Sequence, residues 1–574
     1  MHSYVRPHQY VALRLPSEFT KIQKIEPDST VFLGKFGSFP TNQIIGRPFY
    51  LTFEILDNSD ENGNCLRVIP AAELHAETLI AEGEGDGDEV EVNEDGTPVR
   101  TNRETVDDAS TQKLTVEEIE ALKKECGGAG REIIAKLLES HSALDQKTTF
   151  SLAKYMLRKR RKYMKRFTVL PLDVSILMNH MMEDKDAAKI MEMRDESMGL
   201  LGCMGNVHHG GNLSLDEALA VKPNGRYLVV DDTGGLVVAA MAERMGILYP
   251  HDGEEYEEQV SSEQPKTDEA DQTQNDEHPA ADSTSKRPLR GQMPAPQNSI
   301  TLLHPNKQAN LSLLKYFGFS QDSLDDSHPL SRHLKTVSWL QLLDPSSDPI
   351  YSQEPEILSE EELFAMKSNK RGTYYRKRTR WARAQSVVNE ARAGEFDGLI
   401  VATLMDPTSV LKHTVPLLSG SAHVSVYAPS IEPLTELMDL YSTQRRTAYI
   451  NRRQLLREQK LQDSEQNNAS ENEPQDSEFP ELLEEFTLDP TLLLVPTIET
   501  SRVRPWQVLP GRTHPMMSLR GGAEGYIFHA IRVIPTQQII QAAGNPGRKK
   551  RKVVTQQTST PADSASGVDV EMKS

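Results

Sequence analysis

Residues 227–244 read Tyr227-Leu-Val-Val-Asp231-Asp232-Thr233-Gly234-Gly235-Leu236-Val237-Val-Ala-Ala-Met-Ala-Glu-Arg244. Tyr227–Asp231 is a short apolar run rich in β-formers and reads as a buried strand. Two glycines follow, and Leu236–Arg244 is an apolar-faced helix. A strand, a glycine turn and a helix make the first unit of a doubly wound sheet. Downstream, Ser299–Leu303, Leu399–Leu404 and Val424–Tyr427 read as further strands. Helices are expected at Asn310–Tyr316, over 359–394, and from Glu432-Pro433 to about residue 441. Upstream, Thr168–Leu172 reads as a strand at the start of this α/β region.

Further out, the pattern changes. Tyr10–Leu15, Val31–Phe36 and Phe49–Leu56 are apolar or alternating runs separated by turn formers, which predicts a small antiparallel barrel or sandwich over 1–80. Thr115 stands three residues before Glu118, the spacing of a capping box that opens a helix. A second helix, about 130–139, carries Ile133, Ile134, Leu137 and Leu138 at helical spacing. The chain therefore divides into a β domain (1–80), an acidic linker (81–113) and a helical linker with a basic helix (114–167). Then come the first part of an α/β domain (168–250), an acidic insertion (251–298) and the rest of that core (299–457). A second acidic linker (458–485), C-terminal strands (486–540) and a polar tail (541–574) complete it.

The net charge of −20 over 574 residues is unevenly spread. Residues 81–95, 252–282 and 458–485 hold 30 acids and 2 bases, so the remainder has 54 acids and 62 bases. Such acidic, polar tracts cannot bury a core and are expected to be disordered, which leaves a mildly basic folded part. Two stretches concentrate the base. Eight Lys or Arg fall within 154–166 (Lys154, Arg158, Lys159, Arg160, Arg161, Lys162, Lys165 and Arg166), with Tyr155 and Tyr163 among them. Eight more fall within 367–383, including Arg376, Lys377, Arg378 and Arg380, with Tyr374, Tyr375 and Trp381 interleaved. Like charges at helical spacing repel, and a polyanion relieves that repulsion. Lys and Arg neutralise phosphates without reading sequence, and aromatics stack on unpaired bases. A membrane surface or an acidic protein partner is the competing reading, and the tyrosines would equally serve as each helix's core face. Gly372 interrupts the helical pattern of the second stretch.

Cys65, Cys126 and Cys203 form no CxxC pair and no disulfide framework, which points to a reducing compartment. The N-terminus lacks the apolar core of a signal peptide, and no run is long enough for a membrane helix. Arg548–Lys552 is a basic pentamer of the kind that directs nuclear import.

Chemistry is less evident than fold. A Rossmann-type methyltransferase ends its first strand in an acid and continues into a G-x-G-x-G turn, where backbone amides approach S-adenosylmethionine. With Asp231 as the strand-end acid, Thr233 and Val237 stand where the first and third glycines belong, and only Gly235 matches. A methyltransferase acting on adenine N1 also wants a carboxylate near the end of the Leu399–Leu404 strand, to orient the base amine and take a proton. Thr403 occupies that place, and Asp406 precedes a proline as turn-starting acids do. His208-His209 reads as a loop rather than a metal site, and no zinc pattern, Walker loop or nucleophile elbow is seen.

Several segments together resemble a known family. Leu33–Pro48, Lys147–Tyr155, Gly234–Gly246, Asp397–Ala402 and Gln507–Pro515 are similar, in order, to the eukaryotic non-catalytic subunit of the tRNA adenine-N1 methyltransferase, whose complex modifies adenosine-58. The resemblance implies a mixed fold: an N-terminal antiparallel β-barrel, then an α/β Rossmann-like methyltransferase domain that has lost cofactor binding. It implies a heterotetramer of two such chains with two catalytic partners that hold S-adenosylmethionine, and tRNA contacts from both subunits. The family's tRNA-contact regions match Glu104–Leu114, which includes Lys113, and the Lys154–Tyr163 helix. No catalytic residue, metal or membrane contact is implied. Two alternatives stand beside it: an active methyltransferase with a non-standard pocket, and an acidic nuclear scaffold whose basic helices dock a protein.

Overall fold

The structure, a computed structural model, describes residues 3–56, 65–74, 114–115, 117–119, 121, 130–141, 149–210, 225–249, 298–321, 328–467, 480–503, 506–509, 512–516 and 523–535. The N-terminal part is built on a five-stranded antiparallel sheet in the order β2-β1-β7-β5-β6. Its strands are β1 (Tyr10–Arg14), β2 (Thr20–Lys24), β5 (Thr52–Ile55), β6 (Leu66–Ile69) and β7 (Arg166–Pro171). A separate hairpin joins β3 (Thr30–Phe32) to β4 (Ser38–Pro40). The order is linear, with β2 and β6 as edges among the described residues. Val11, Leu13, Phe39, Phe53, Phe167 and Val169 fill one core beneath sheet and hairpin, with Phe167 stacked on both Phe39 and Phe53.

Strand β7 corrects the sequence reading. Thr168–Leu172 is expected from the sequence to open the α/β domain, yet β7 lies in the middle of the N-terminal sheet, paired to β1 and β5. Its alternate residues Phe167 and Val169 complete a core that residues 1–80 cannot close alone. Lys165 and Arg166 therefore leave the basic helix, since Arg166 opens β7.

Helices α1 (Gly130–Glu139), which buries Ile133, Ile134 and Leu137, and α2 (Thr149–Tyr163) lead into β7. Ahead of them Thr115 and Glu118 form the expected reciprocal cap. After β7, α3 (Val174–Asp184) and α4 (Asp195–Met204) lead into the larger sheet.

That sheet has seven strands in the order β10-β9-β8-β11-β12-β16-β13. They are β8 (Arg226–Asp231), β9 (Ser299–His304), β10 (Leu334–Ser338), β11 (Phe396–Ala402), β12 (Leu418–Ala428), β13 (Leu493–Glu499) and β16 (Tyr526–Arg532). The first five are parallel, and β16 runs antiparallel between β12 and β13. Parallel strands are covered on both faces, so they read as unbroken apolar runs. In β8, Tyr227 and Val229 enter one core and Leu228 and Val230 the other. Gly398 is demanded by this packing, because a Cβ there would fall 2.8 Å from the Tyr227 ring on the neighbouring strand. The two sheets share a core through Ala12, Leu170 and Leu172, and Tyr10 meets Tyr316 edge-on at 5.2 Å.

Helix α5 (Leu236–Arg244) follows β8 as expected. The helix expected over 359–394 is two: Glu360–Ala365, capped by Ser359, and α6 (Ser368–Ala393), which runs unbroken through Gly372. Asn310–Tyr316 is a loop running into a single turn of 3-10 helix, Leu314–Phe317, rather than an α-helix. After β11 and β12 come α7 (Pro407–Thr414), α8 (Glu432–Leu440) and α9 (Thr443–Asn467). Helix α9 extends into the expected acidic linker, whose end, Pro480–Glu485, is helical again. The QVLPGRTHP motif supplies the paired strands β14 (Trp506–Leu509) and β15 (Arg512–Pro515), and β14 packs against α2. The tracts 81–95 and 252–282, Lys113 and the Arg548–Lys552 pentamer lie outside the described residues.

Candidate functional site

In an open α/β sheet, ligands bind at the carboxyl ends of the strands where the strand order reverses. Here that switch point lies between β8 and β11. The chain occupies it with its own hydrogen bonds. Asp231 Oδ1 accepts from the Thr233 amide at 2.6 Å and the Thr233 hydroxyl at 2.5 Å, and Oδ2 accepts from Val238 N at 3.3 Å. Thr233 Oγ1 accepts in turn from Val237 N at 3.2 Å. Thus first-turn amides of α5, of the kind that would face a cofactor, are capped by side chains from the strand end. Asp231 is buried, and that burial pushes its carboxyl up to about 6 despite the donors around it.

The turn is also roofed. Gly234 and Gly235 adopt φ values of +75° and +90°. A Cβ on Gly235 would meet Leu311 Cδ2 at 3.1 Å, Leu311 Cα at 3.2 Å and Leu314 Cγ at 3.3 Å. Leu313 N donates to Gly234 O at 3.0 Å. Leu311, Leu313 and Leu314 are buried in the same core as Leu236 and Val237. The sequence gives no sign of this cover, because it depends on a loop about 75 residues downstream folding back.

Across the switch point, Asp232 Oδ2 accepts from the Thr403 hydroxyl at 2.5 Å and from Leu404 N at 2.9 Å, and Asp232 N donates to Ala402 O at 2.9 Å. Thr403, where a base-orienting carboxylate was sought, is therefore a tie between strand ends. Asp406 caps α7 through Thr408 N and Ser409 N, as its proline neighbour suggested. His208 and His209 lie in the loop after α4, where His208 Nδ1 sits 2.6 Å from Asn206 O. Among the described residues no cluster of His, Cys, Asp or Glu is placed to hold a metal, and no helix is long and apolar enough to cross a membrane.

The basic helices divide their residues between packing and solvent. On α2, Arg158 and Lys162 are exposed at i, i+4 spacing, whereas Lys154, Lys159, Arg160 and Arg161 are half-buried. Tyr155 meets His141 edge-on at 5.3 Å and carries Lys159 Nζ over its ring at 4.8 Å. Lys162 Nζ lies 5.3 Å from the Tyr163 ring, and Arg161 pairs with Glu18. These two tyrosines are half-buried packing residues here.

On α6 only Val388 and Ala391 are buried, so the helix docks by its C-terminal third. Arg376, Lys377 and Arg380 are exposed. Tyr374 OH accepts from Leu358 N and from Arg378, each at 3.2 Å, and Trp381 Nε1 donates to Tyr351 O at 3.1 Å. Tyr375, 50% exposed, is the interleaved aromatic left open to solvent. The sequence reading missed the Arg-rich helix α9, whose charges are largely spent on structure: Arg445 pairs with Asp439 at 3.1 Å and Arg452 with Glu485 at 2.8 Å.

These features define a class: a doubly wound α/β domain whose switch-point turn is sealed by its own side chains, joined to a smaller antiparallel sheet. The profile of the Gcd10p family matches residues 4–367, and the chain belongs to that family. An Aspergillus oryzae protein named tRNA (adenine(58)-N(1))-methyltransferase non-catalytic subunit is 79% identical, with all of both chains covered. The protein of the same name from Aspergillus fumigatus is 67% identical over all of both chains, and that from Schizosaccharomyces pombe is 28% identical over 96% of each. Among solved structures, a Thermotoga maritima S-adenosylmethionine-dependent O-methyltransferase aligns with a TM-score of 0.37 at 9% identity, over 93% of this chain and 97% of that one. The strand order, not that alignment, carries the fold assignment.

Proposed function

We propose that this chain is the non-catalytic, tRNA-binding subunit of a nuclear tRNA N1-methyladenosine-58 methyltransferase, assembled as two copies with two catalytic partners that hold S-adenosylmethionine. The observation that carries this reading is the switch point, where Asp231 and Thr233 cap α5 and Leu311–Leu314 cover the glycines. A cofactor would have to displace buried leucines and break those caps. Thr403 offers no carboxylate for proton transfer. The exposed cations Arg158 and Lys162 on α2, and Arg376, Lys377 and Arg380 on α6, give a phosphate backbone places to dock. Lys113 and the import pentamer enter this reading from sequence alone.

The test is methyl transfer to unmodified tRNA by the full chain alone, by its presumed catalytic partner alone, and by the two co-expressed. Activity in the co-expressed sample only is the expected result. Activity in this chain alone would overturn the reading and return attention to the active-methyltransferase alternative.

A further inference from the structure

Leu311, which covers Gly235, also lines a cavity of about 600 Å³ beside β9 and the edge strand β10. An adjoining lobe of about 230 Å³ shares His304, Lys307, Arg380 and Arg383 with it. No Asp or Glu is among the described residues lining either space. Arg380 and Arg383 are three residues apart, so α6 presents both on one side, and Lys307 approaches from the loop after β9. Arg383 spends one donor on Ser331 O at 3.3 Å.

His304, at the carboxyl end of β9, is 7% exposed, and its Nδ1 makes no hydrogen bond. A buried polar atom without a partner is uncommon and signals a missing one. Burial holds its pKa below the usual histidine value, which favours the neutral ring. Phe319, Leu311 and Leu334 supply apolar wall. Cationic rim, apolar wall and a volume within the roughly 300–1,000 Å³ of small-ligand sites fit an anion attached to a flat ring. Arg forks suit phosphate oxygens, and an aromatic side chain suits a base.

We propose that this cavity takes one phosphate-bearing nucleotide, its phosphate on Arg380, Arg383 and Lys307 and its base against Phe319 and Leu334. The inference rests on the tRNA-binding reading above. It adds a discrete nucleotide site to what would otherwise be diffuse charge. The nucleotide is one residue of the bound RNA or a free mononucleotide.

The full chain is compared with two variants that lose the same charge from the same helix: Arg380→Gln with Arg383→Gln in the cavity, and Arg376→Gln with Lys377→Gln outside it. Circular dichroism verifies that all three are folded. Fluorescence anisotropy with labelled unmodified tRNA reads one source, and equilibrium dialysis with adenosine 5′-monophosphate against adenosine reads the other. The cavity pair is expected to weaken tRNA binding about tenfold or more, and the outer pair about threefold or less. Loss of mononucleotide binding in the cavity pair, with tRNA affinity unchanged, assigns the site to a free nucleotide. Equal losses from both pairs, or no loss with either probe, overturn the proposal. If replacing the α2 cations abolishes tRNA binding while the cavity pair changes nothing, the nucleotide site fails and the subunit reading stands. If the unaltered chain alone binds no tRNA, the tRNA arm is read on the co-expressed complex; a complex that binds none overturns the tRNA-binding reading, and the mononucleotide arm then decides the cavity.

Discussion

Replacing Asp231 by Asn tests whether this carboxylate has become a structural cap. In the native state it is buried, and burial pushes its pKa up to about 6 from the ordinary aspartate value of 3.8. The native chain therefore binds more protons than the unfolded chain between those values, so stability contributed by this group falls as pH rises through the window. From these two values the protonated carboxyl stabilises the native state by about 1.4 kcal/mol more at about pH 5 than at about pH 7.5. Asn cannot titrate, so that pH-dependent part vanishes in the variant. Its amide nitrogen also faces Val238 N, a donor, and the lost hydrogen bond costs about 1 kcal/mol at every pH. All other titrating groups are common to both proteins and cancel in the difference. Urea unfolding of both proteins at low concentration, at the two pH values, should show the wild-type advantage shrinking by about 1.4 kcal/mol at the higher pH. A difference that stays constant within about 0.3 kcal/mol would refute the assignment of Asp231 as a buried, titrating cap.

Gly235→Ala places a Cβ against Leu311 and Leu314 at φ +90°. It should cost about 2 kcal/mol, read as a lower thermal midpoint; an unchanged midpoint would mean that the leucine cover is not packed as described. Changing Arg158, Lys159, Arg160, Arg161 and Lys162 together to Ala should weaken tRNA binding and flatten its salt dependence, whereas unchanged affinity in low salt would sink the RNA role of α2. Trp381→Phe removes the bond to Tyr351 O. It should cost about 1 kcal/mol and raise hydrogen exchange in α6, and unaltered exchange would count against that anchor. Calorimetry of the isolated chain with S-adenosylmethionine should give no binding heat, and a saturable heat would reopen the sealed turn.

What was legible in the sequence was local. Tyr227–Arg244 announces its strand, turn and helix because burial on both faces makes β8 continuously apolar and α5 follows without interruption. Leu399–Leu404 and Val424–Tyr427 read as strands for the same reason, although β11 itself ends at Ala402. What escaped depended on distant partners. Phe167 and Val169 look the same whether they serve the small sheet or the large one, and only their pairing with Val11–Arg14 and Thr52–Glu54 decides. Leu311 and Leu314 are three apart and mimic a helix, but tertiary packing uses them as a lid over Gly235. Helix α9 was missed because its apolar contacts are few, centred on Tyr449 and Leu456. At the candidate interface the cations were countable, but which would face solvent was not. Tyr155 and Trp381 show how an aromatic within a basic run can belong to the packing.

The central place of β7 has a consequence for synthesis. Thr52 and Thr168 meet hydroxyl to hydroxyl at 2.9 Å across 116 residues of chain. During translation β1, β2, β5 and β6 leave the ribosome with a gap in their sheet where β7 belongs. Val11, Phe53 and their neighbours stay unburied on that side until residue 171 has emerged. The amino-terminal unit therefore cannot be a finished folding unit ahead of the helices that follow it. Closing so long a connection is costly once, but each further doubling adds only about 0.6 kcal/mol. The segment between β6 and α1 can thus change length at little cost, whereas a one-residue slip of β7 would turn Phe167 and Val169 out of the core of the small sheet.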